Sequence, residues 1–247
     1  MEEAFEPVFA KMVDWSRIYI DLPGTGGSPP VTPSSDAVLD EVVSTLSSLL
    51  GSQRFMVIGW SYGGYLATGL VRRMKNQISG LLAICAGTKI LRADRDITGT
   101  IDSTPQPLWL KEVPGELHGH FNTAIGCQTR EVATRVANAL AARGPMDEAF
   151  LEELQTSGYQ LSDEGSSDQY DGIVTFLTGR RDRIAGFRGQ FDSLTLFPQA
   201  NYVAVADAGH YLPFELPQVL HAVTVDFLER TALELSRHDV HPPTHHS

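Results

Sequence analysis

The stretch that most constrains this chain is "RFMVIGWSYGGYLATGL", residues 54–70, where an apolar, strand-like run becomes a helical pattern at one serine. A serine at so sharp a strand-to-helix turn has a strained backbone, and its hydroxyl stands clear of the sheet. The next amide and the positive helix end then point to where an oxyanion would form. The pattern favours Ser61 as a nucleophile, with the Tyr62 amide as oxyanion donor, over a serine that merely fills a turn. We expect glycine to be required at Gly59 and Gly63, because side chains there would collide with the neighbouring strand and helix.

A serine nucleophile needs a base, and the base needs an acid to hold it. His210 directly follows the strand-like run 201–207 and is the predicted base. Asp182 follows the run 173–178 and is the predicted acid. Weaker candidates are three further histidines and three further aspartates: His118, His120 and His221, and Asp94, Asp96 and Asp207.

Strand-like and helical runs alternate along the chain. The predicted strands are residues 17–22, 54–60, 79–87, 172–179 and 201–209, and the predicted helices outside 88–171 include 34–51, 62–76 and 217–235. Such alternation predicts an α/β fold, a mostly parallel sheet with helices on both faces. The run 54–60 is so continuously apolar that we expect it in the middle of the sheet.

Residues 88–171, called the insertion below, contain no convincing strand but two helical patterns, 129–142 and 146–157. We therefore predict a core formed by residues 1–87 and 172–236, with the insertion as a helical lid or cap. The tail, 237–247, holds four of the eight histidines. Metal binding is one reading of them, but a proline-containing polar tail favours disorder.

Four segments, "DLPGTGGS", "GWSYGGYLA", "TGRRD" and "AGHYLPFELP", follow one another between about residues 5 and 230. In their order and spacing they resemble the α/β-hydrolase superfamily. The resemblance implies a hydrolase, most often of esters, whose lid shapes an apolar pocket, with no metal or organic cofactor. Aromatic residues that could line the pocket are Trp60, Trp109 and Phe121, with Tyr62 and Phe150 as further candidates, although core packing is the simpler interpretation of each one.

The chain departs from the superfamily at its start. Members normally have about three strands before the "DLPG" loop, and a His-Gly motif there supplies the first oxyanion donor. Here residues 1–16 predict one short helix, with Phe5, Phe9, Met12 and Val13 on one face. By resemblance the absent strand would lie between residues 17–22 and 54–60. We expect an incomplete chain or a shortened variant.

Composition excludes several classes of protein. A formal net charge of −11 disfavours nucleic acid and anionic membrane surfaces as partners. The two cysteines, Cys85 and Cys127, suggest no disulfide framework. The acidic start lacks the basic and apolar regions of a signal peptide, so we expect none, and no apolar run in the sequence reaches the length of a membrane-spanning helix. We expect a cytoplasmic protein with a small-molecule substrate, and its oligomeric state stays open.

The leading hypothesis is a serine hydrolase that cleaves a small carboxylic ester or related acyl compound through Ser61, His210 and Asp182. One alternative is a catalytically impaired ligand-binding protein, or a fragment, on the same scaffold. A further alternative is a peptidase, a lactonase or a carbon–carbon bond hydrolase, because these enzymes use the same three residues.

Overall fold

The computed structural model describes residues 2–10, 12, 15–102, 110–111, 113 and 115–240. Its described part contains one sheet of four parallel strands, each paired with the next along the chain. The strands are β1 (Phe55–Trp60), β2 (Ile78–Ile84), β3 (Ile173–Gly179) and β4 (Ala200–Val205). The loops that follow these strands therefore gather at one edge of the sheet.

Helices connect and cover the strands. Before β2 the chain forms α1 (Glu2–Phe9), α2 (Ser35–Leu50) and α3 (Tyr62–Met74). Between β2 and β3 it forms α4 (His118–Thr123), α5 (Arg130–Ala142) and α6 (Glu148–Ser157). After β3 come α7 (Arg188–Asp192), α8 (Leu212–Glu215) and α9 (Pro217–Val240).

The sheet is buried on both faces, as the side chains of β2 show. Leu81 and Ala83 belong to an apolar cluster that also contains residues of α2 and α3. Leu82 and Ile84 belong to a second cluster with residues of α1 and α9. Successive strand residues point to opposite faces, so this alternation places helices on each side of the sheet. The predicted α/β class is confirmed.

Two strand predictions were wrong in position. Residues 17–22 are not a strand, because no described segment forms a hydrogen-bonded ladder with them. Ile18 and Tyr19 are consequently exposed. The strand β1, predicted in mid-sheet, lies at the edge of the described sheet, and Phe55–Ile58 are only half-buried. An apolar run predicts an extended segment, but its place depends on a neighbouring strand.

The ends of α2 agree with the prediction to within one residue, but those of two other helices differ. Ser34 caps α2 by accepting a hydrogen bond from the Ala37 amide, and Gly51 ends the helix at a φ of 55°. The first helix ends at Phe9, and Val13 lies outside the described residues. The last helix continues to Val240, into the predicted tail, because no helix-breaking proline occurs before Pro242. Residues 241–247 lie outside the described part.

The insertion is tied to the core through the buried Tyr65 of α3. Its hydroxyl accepts a hydrogen bond from the Leu161 amide at 2.8 Å and donates one to Glu164 at 2.9 Å. Next to it, Arg72 makes a two-pronged ion pair with Asp163. The division into core and lid stays a prediction, but these contacts fix the end of the insertion on α3.

We predict that Tyr65→Phe lowers the free energy of unfolding by about 1–3 kcal/mol, because it leaves the buried Leu161 amide without an acceptor. The matched control is Tyr202→Phe. Tyr202 only donates to the Phe187 carbonyl, so its loss should cost at most about 1.5 kcal/mol. Urea denaturation of both variants checks this, and equal losses would contradict it.

Candidate active site

Ser61 lies at the turn between β1 and α3 with a φ of 55°. Among the described residues only Ser61 and Cys85 combine a side chain with a positive φ. Such a backbone costs free energy and persists only where its surroundings hold it. Here the Ser61 amide donates to the Ile84 carbonyl at 2.9 Å, and the Ser61 carbonyl accepts from the Tyr65 amide at 3.0 Å. The turn is therefore fixed from the sheet and from the helix.

Close packing at this turn involves a different pair of glycines from the predicted one. A Cβ added to Gly59 would lie 2.5 Å from the Gly63 oxygen and 2.6 Å from the Gly64 nitrogen. At Gly64 it would lie 2.6 Å from the Ala86 side chain. At Gly63, however, it would meet no described atom within 4 Å. The expectation was right for Gly59 and wrong for Gly63, because the backbone of β1 crosses the helix one residue later.

The three predicted catalytic side chains meet at the carboxyl edge of the sheet. His210 Nε2 lies 2.7 Å from Ser61 Oγ, and His210 Nδ1 lies 2.9 Å from Asp182 Oδ2. An ionised carboxylate can only accept, so Nδ1 carries the proton and Nε2 can accept from the serine hydroxyl. The geometry is that of a nucleophile, a base and an acid in series.

Asp182 is fully buried and held by its own loop. Its second oxygen, Oδ1, accepts hydrogen bonds from the Ile184 and Ala185 amides at 2.8 and 2.9 Å. These bonds leave Oδ2 free for the imidazole. The carboxylate can therefore hold the histidine ring in one orientation.

The loop that carries His210, residues 206–211, is called the histidine loop below. The Trp60 indole nitrogen donates to the His210 carbonyl at 2.7 Å, and the Trp60 ring lies edge-on to Tyr211 and Phe214. From the other side, the His210 amide donates to the Ala124 carbonyl at 2.6 Å. Trp60, predicted to contact substrate, thus braces the histidine loop in the structure.

The other residues predicted around substrate lie in different places. Tyr62 begins α3, where backbone amides have no intrahelical acceptor, while its side chain contacts Ser35 and stacks on Tyr159. Phe121 is completely buried, and Phe150 packs against Gly24. Trp109 lies outside the described residues. A substrate contact for Trp60, Trp109 or Phe121 stays a prediction.

The weaker candidates for base and acid have other partners or are exposed. His118 bonds to the Val113 carbonyl, and His120 bonds to the Tyr211 hydroxyl at 3.0 Å. Burial, helped by the charge of Arg143, lowers the pKa of His120. Asp207 pairs with Arg181 instead of His210. His221, Asp94 and Asp96 are exposed.

Sequence reasoning missed Glu215 and the contact of Cys85 with the histidine loop. Glu215 is 3% exposed and lies in α8, five residues after His210. Burial raises the pKa of its carboxyl to about 7, against the opposing effect of three backbone amides that donate to it. Cys85 is buried beneath the histidine loop, 3.5 Å from the Gly209 carbonyl. A charged residue in the apolar run "YLPFELP" was the signal for Glu215.

Within the described part of the chain, no three or more His, Cys, Asp or Glu side chains are grouped so that they could hold a metal ion. None of the helices described combines the length and apolar character required to span a bilayer.

Comparison with known proteins identifies the family. A family model described as "Alpha/beta hydrolase family" matches residues 7–223. The biotin biosynthesis bifunctional protein BioHC of Cellvibrio japonicus is 23% identical over 235 residues, which cover 88% of this chain and 43% of that protein. A pimeloyl-[acyl-carrier protein] methyl ester esterase of Shewanella woodyi is 33% identical over 82 residues, 33% of this chain and 30% of the esterase. The aligned part is thus less than half of each of these relatives.

Solved structures show the same fold. An alpha/beta superfamily hydrolase from Oenococcus oeni matches with a TM-score of 0.81 at 24% identity, over 92% of this chain and 86% of that one. A thermophilic esterase from Thermogutta terrifontis matches with a TM-score of 0.66 at 17% identity, over 93% of this chain and 86% of that one. At these identities the match describes the fold and not the substrate.

The glycine contacts predict contrasting effects on stability. Gly59→Ala should lower the free energy of unfolding by about 1–3 kcal/mol or more, because backbone must shift to admit the methyl group. Gly63→Ala should leave it unchanged or raise it by up to about 1 kcal/mol, since alanine favours a helix. Thermal denaturation of both variants checks this. Equal destabilisation would show that the turn tolerates neither.

The raised pKa of Glu215 predicts a pH dependence of stability. Between about pH 4.5 and 7 the folded protein retains a proton that the unfolded chain has released. This contribution to stability is present in full below about pH 4.5 and is lost as the pH rises through 7. Relative to Glu215→Gln, the native protein should lose about 3 kcal/mol between pH 4.5 and 8. Denaturation of both proteins across this range tests it, and a difference that stays flat or grows would contradict it.

Proposed function

The chain belongs to the alpha/beta hydrolase family, and from this we propose that it is a serine hydrolase that cleaves a small carboxylic ester or a related acyl compound. One observation carries the proposal. An unbroken series of side-chain contacts runs from Ser61 Oγ through the His210 imidazole to the buried Asp182 carboxylate. A structural serine in a turn needs neither an imidazole at 2.7 Å nor a carboxylate behind it.

In the first half of the proposed reaction, Ser61 Oγ attacks the carbonyl carbon of the ester. His210 Nε2 accepts the hydroxyl proton, and Asp182 stabilises the positive charge that develops on the ring. The negative charge on the former carbonyl oxygen develops near the Tyr62 amide, at the positive end of α3. His210 then gives the proton to the leaving alcohol, and an acyl-enzyme forms on Ser61.

The second half repeats the same steps with water. His210 takes a proton from a water molecule, whose oxygen attacks the acyl carbon. As the tetrahedral species collapses, the proton returns to Ser61 Oγ and the carboxylic acid leaves. Both halves use the imidazole as base and as acid, so its hydrogen bonds to Ser61 and Asp182 must survive the whole cycle.

The substrate class is supported by one relative, which is named a methyl ester esterase. The connection between β2 and β3 bears on access to the site. We propose that the core comprises residues 1–87 and 172–236 and that the insertion acts as a lid over the site. The turn between α4 and α5 lies beside the site, because the Ala124 carbonyl accepts a hydrogen bond from the His210 amide.

The proposal predicts that a fluorophosphonate probe labels the chain at Ser61 and that p-nitrophenyl acetate is hydrolysed. Ser61→Ala should abolish labelling, because the reacting oxygen is gone. Asp182→Asn should lower kcat by about 10³–10⁴, because the imidazole loses the group that sets its tautomer. Peptide mapping of the labelled protein identifies the modified residue.

The matched control is Asp207→Asn. Asp207 lies three residues from His210 but is largely exposed and forms a surface ion pair with Arg181, so kcat should change less than about threefold. If the folded native protein labels no faster than Ser61→Ala, the hydrolase proposal fails. If Ser61 labels but simple esters are not cleaved, the alternative triad chemistries, on amides, lactones or carbon–carbon bonds, are favoured.

A further inference from the structure

Three backbone amides from two distant segments converge on the Glu215 carboxylate. Oε2 accepts from Gly126 at 3.0 Å, from Cys127 at 2.7 Å and from Gly209 at 2.9 Å. Gly209 also approaches Oε1 at 3.1 Å. Gly126 and Cys127 lie in the turn between α4 and α5, called the 124–127 turn below, and Gly209 immediately precedes His210. One buried side chain therefore joins the insertion to the histidine loop.

The backbones of these two segments touch. A Cβ added to Gly126 would lie 2.6 Å from the Gly209 nitrogen, and one added to Gly209 would lie 2.5 Å from the Gly126 nitrogen. The His210 amide itself donates to the Ala124 carbonyl at 2.6 Å. Arg181, next to the proposed acid, donates to the Gly126 carbonyl at 3.1 Å. The 124–127 turn thus packs directly against the backbone of Gly209 and His210.

We propose that Glu215 is a positioning residue for His210: its carboxylate clamps the histidine loop onto the 124–127 turn, and the imidazole stays in line between Ser61 and Asp182 only while this clamp is closed. The inference rests on the hydrolase function proposed above. It assigns to the insertion, besides any role as a lid, a part in aligning the base.

The chemistry of the cluster supports a clamp. Leaving a buried amide without an acceptor is unfavourable in free energy. Without Glu215, the two segments would therefore separate to let water bind these amides. A shift of about 1 Å in a catalytic group is enough to lower a rate about 10²-fold. The clamped amide belongs to Gly209, the residue immediately before His210. Loss of the clamp should therefore disturb the position of His210 more than it disturbs the rest of the fold.

The clamp should depend on an acceptor oxygen more than on charge. Oε2 takes one bond from each of the three amides, so a proton on Oε1 would leave them satisfied. The charged or titratable groups facing the cluster are Asp182, Asp207, Arg181, Cys85, Cys127 and His210. Burial raises the pKa of Glu215 to about 7, which fits a group that can work in either protonation state. Glutamine, which keeps one oxygen, should be a functional replacement.

The test compares Glu215→Leu, which removes the acceptor at similar volume, with Glu215→Gln, which retains it. Val136→Ala is the control for loss of stability, because Val136 is fully buried in α5 and its side chain has no hydrogen-bonding group. The rate constant of fluorophosphonate labelling is measured well below the unfolding temperature of each protein. We expect labelling at least about 50-fold slower for Glu215→Leu, within about fivefold of native for Glu215→Gln and within about twofold for Val136→Ala.

A second readout follows the histidine itself. We expect a far-downfield proton NMR signal from the proton between His210 Nδ1 and Asp182 in the native protein and in Glu215→Gln, and its absence in Glu215→Leu. If Glu215→Leu does not fold, Glu215→Asp replaces it, since aspartate withdraws the carboxylate by one methylene and should also slow labelling. Labelling of the folded acceptor-free or shortened variant at the rate of Val136→Ala would overturn the clamp. Absence of labelling in the native protein would instead overturn the hydrolase function.

Discussion

The site depends on the strained backbone at Ser61. A positive φ at a residue with a side chain is unfavourable, and here the sheet and α3 hold it through one hydrogen bond each. The close approach of Gly59 to Gly64 lets the strand turn directly into the helix. This turn sets the direction of α3, the position of the Tyr62 amide and the height of the serine hydroxyl above the sheet. The remaining site residues are arranged to meet an oxygen whose position is already fixed.

Parallel strands explain how residues far apart in the chain meet there. Ser61, Asp182 and His210 follow β1, β3 and β4, and Cys85 follows β2, so all four lie at one edge of the sheet. Each loop is held by a contact with a neighbour. Cys85 lies under the histidine loop, Trp60 braces it from β1, and Arg181 reaches from the loop after β3 to the insertion. The sheet brings the loops together, and these contacts set their separations.

The predictable part of the molecule was that encoded locally. The α/β class followed from alternating periodicities, and the meeting of Ser61, Asp182 and His210 followed from their positions after strand-like runs. Features that depend on a distant partner could not be predicted. Residues 17–22 have the pattern of a strand without a described neighbour to pair with. Glu215 stood out only as a charge in an apolar run, and its partners Gly126 and Cys127 lie nearly ninety positions away in the chain.

The direct backbone contact between Gly126 and Gly209 bears on how such proteins can be recombined. A helical segment inserted between two strands looks like an exchangeable module, and swapping it is an obvious route to new substrate preference. Here the segment supplies the Ala124 carbonyl, which accepts from the His210 amide, and the Gly126 and Cys127 amides, which donate to Glu215. A transplanted segment would have to place the same three backbone groups in the same positions. The border of the module therefore runs through residues 124–127, and diversification by exchange is confined to the helices beyond them.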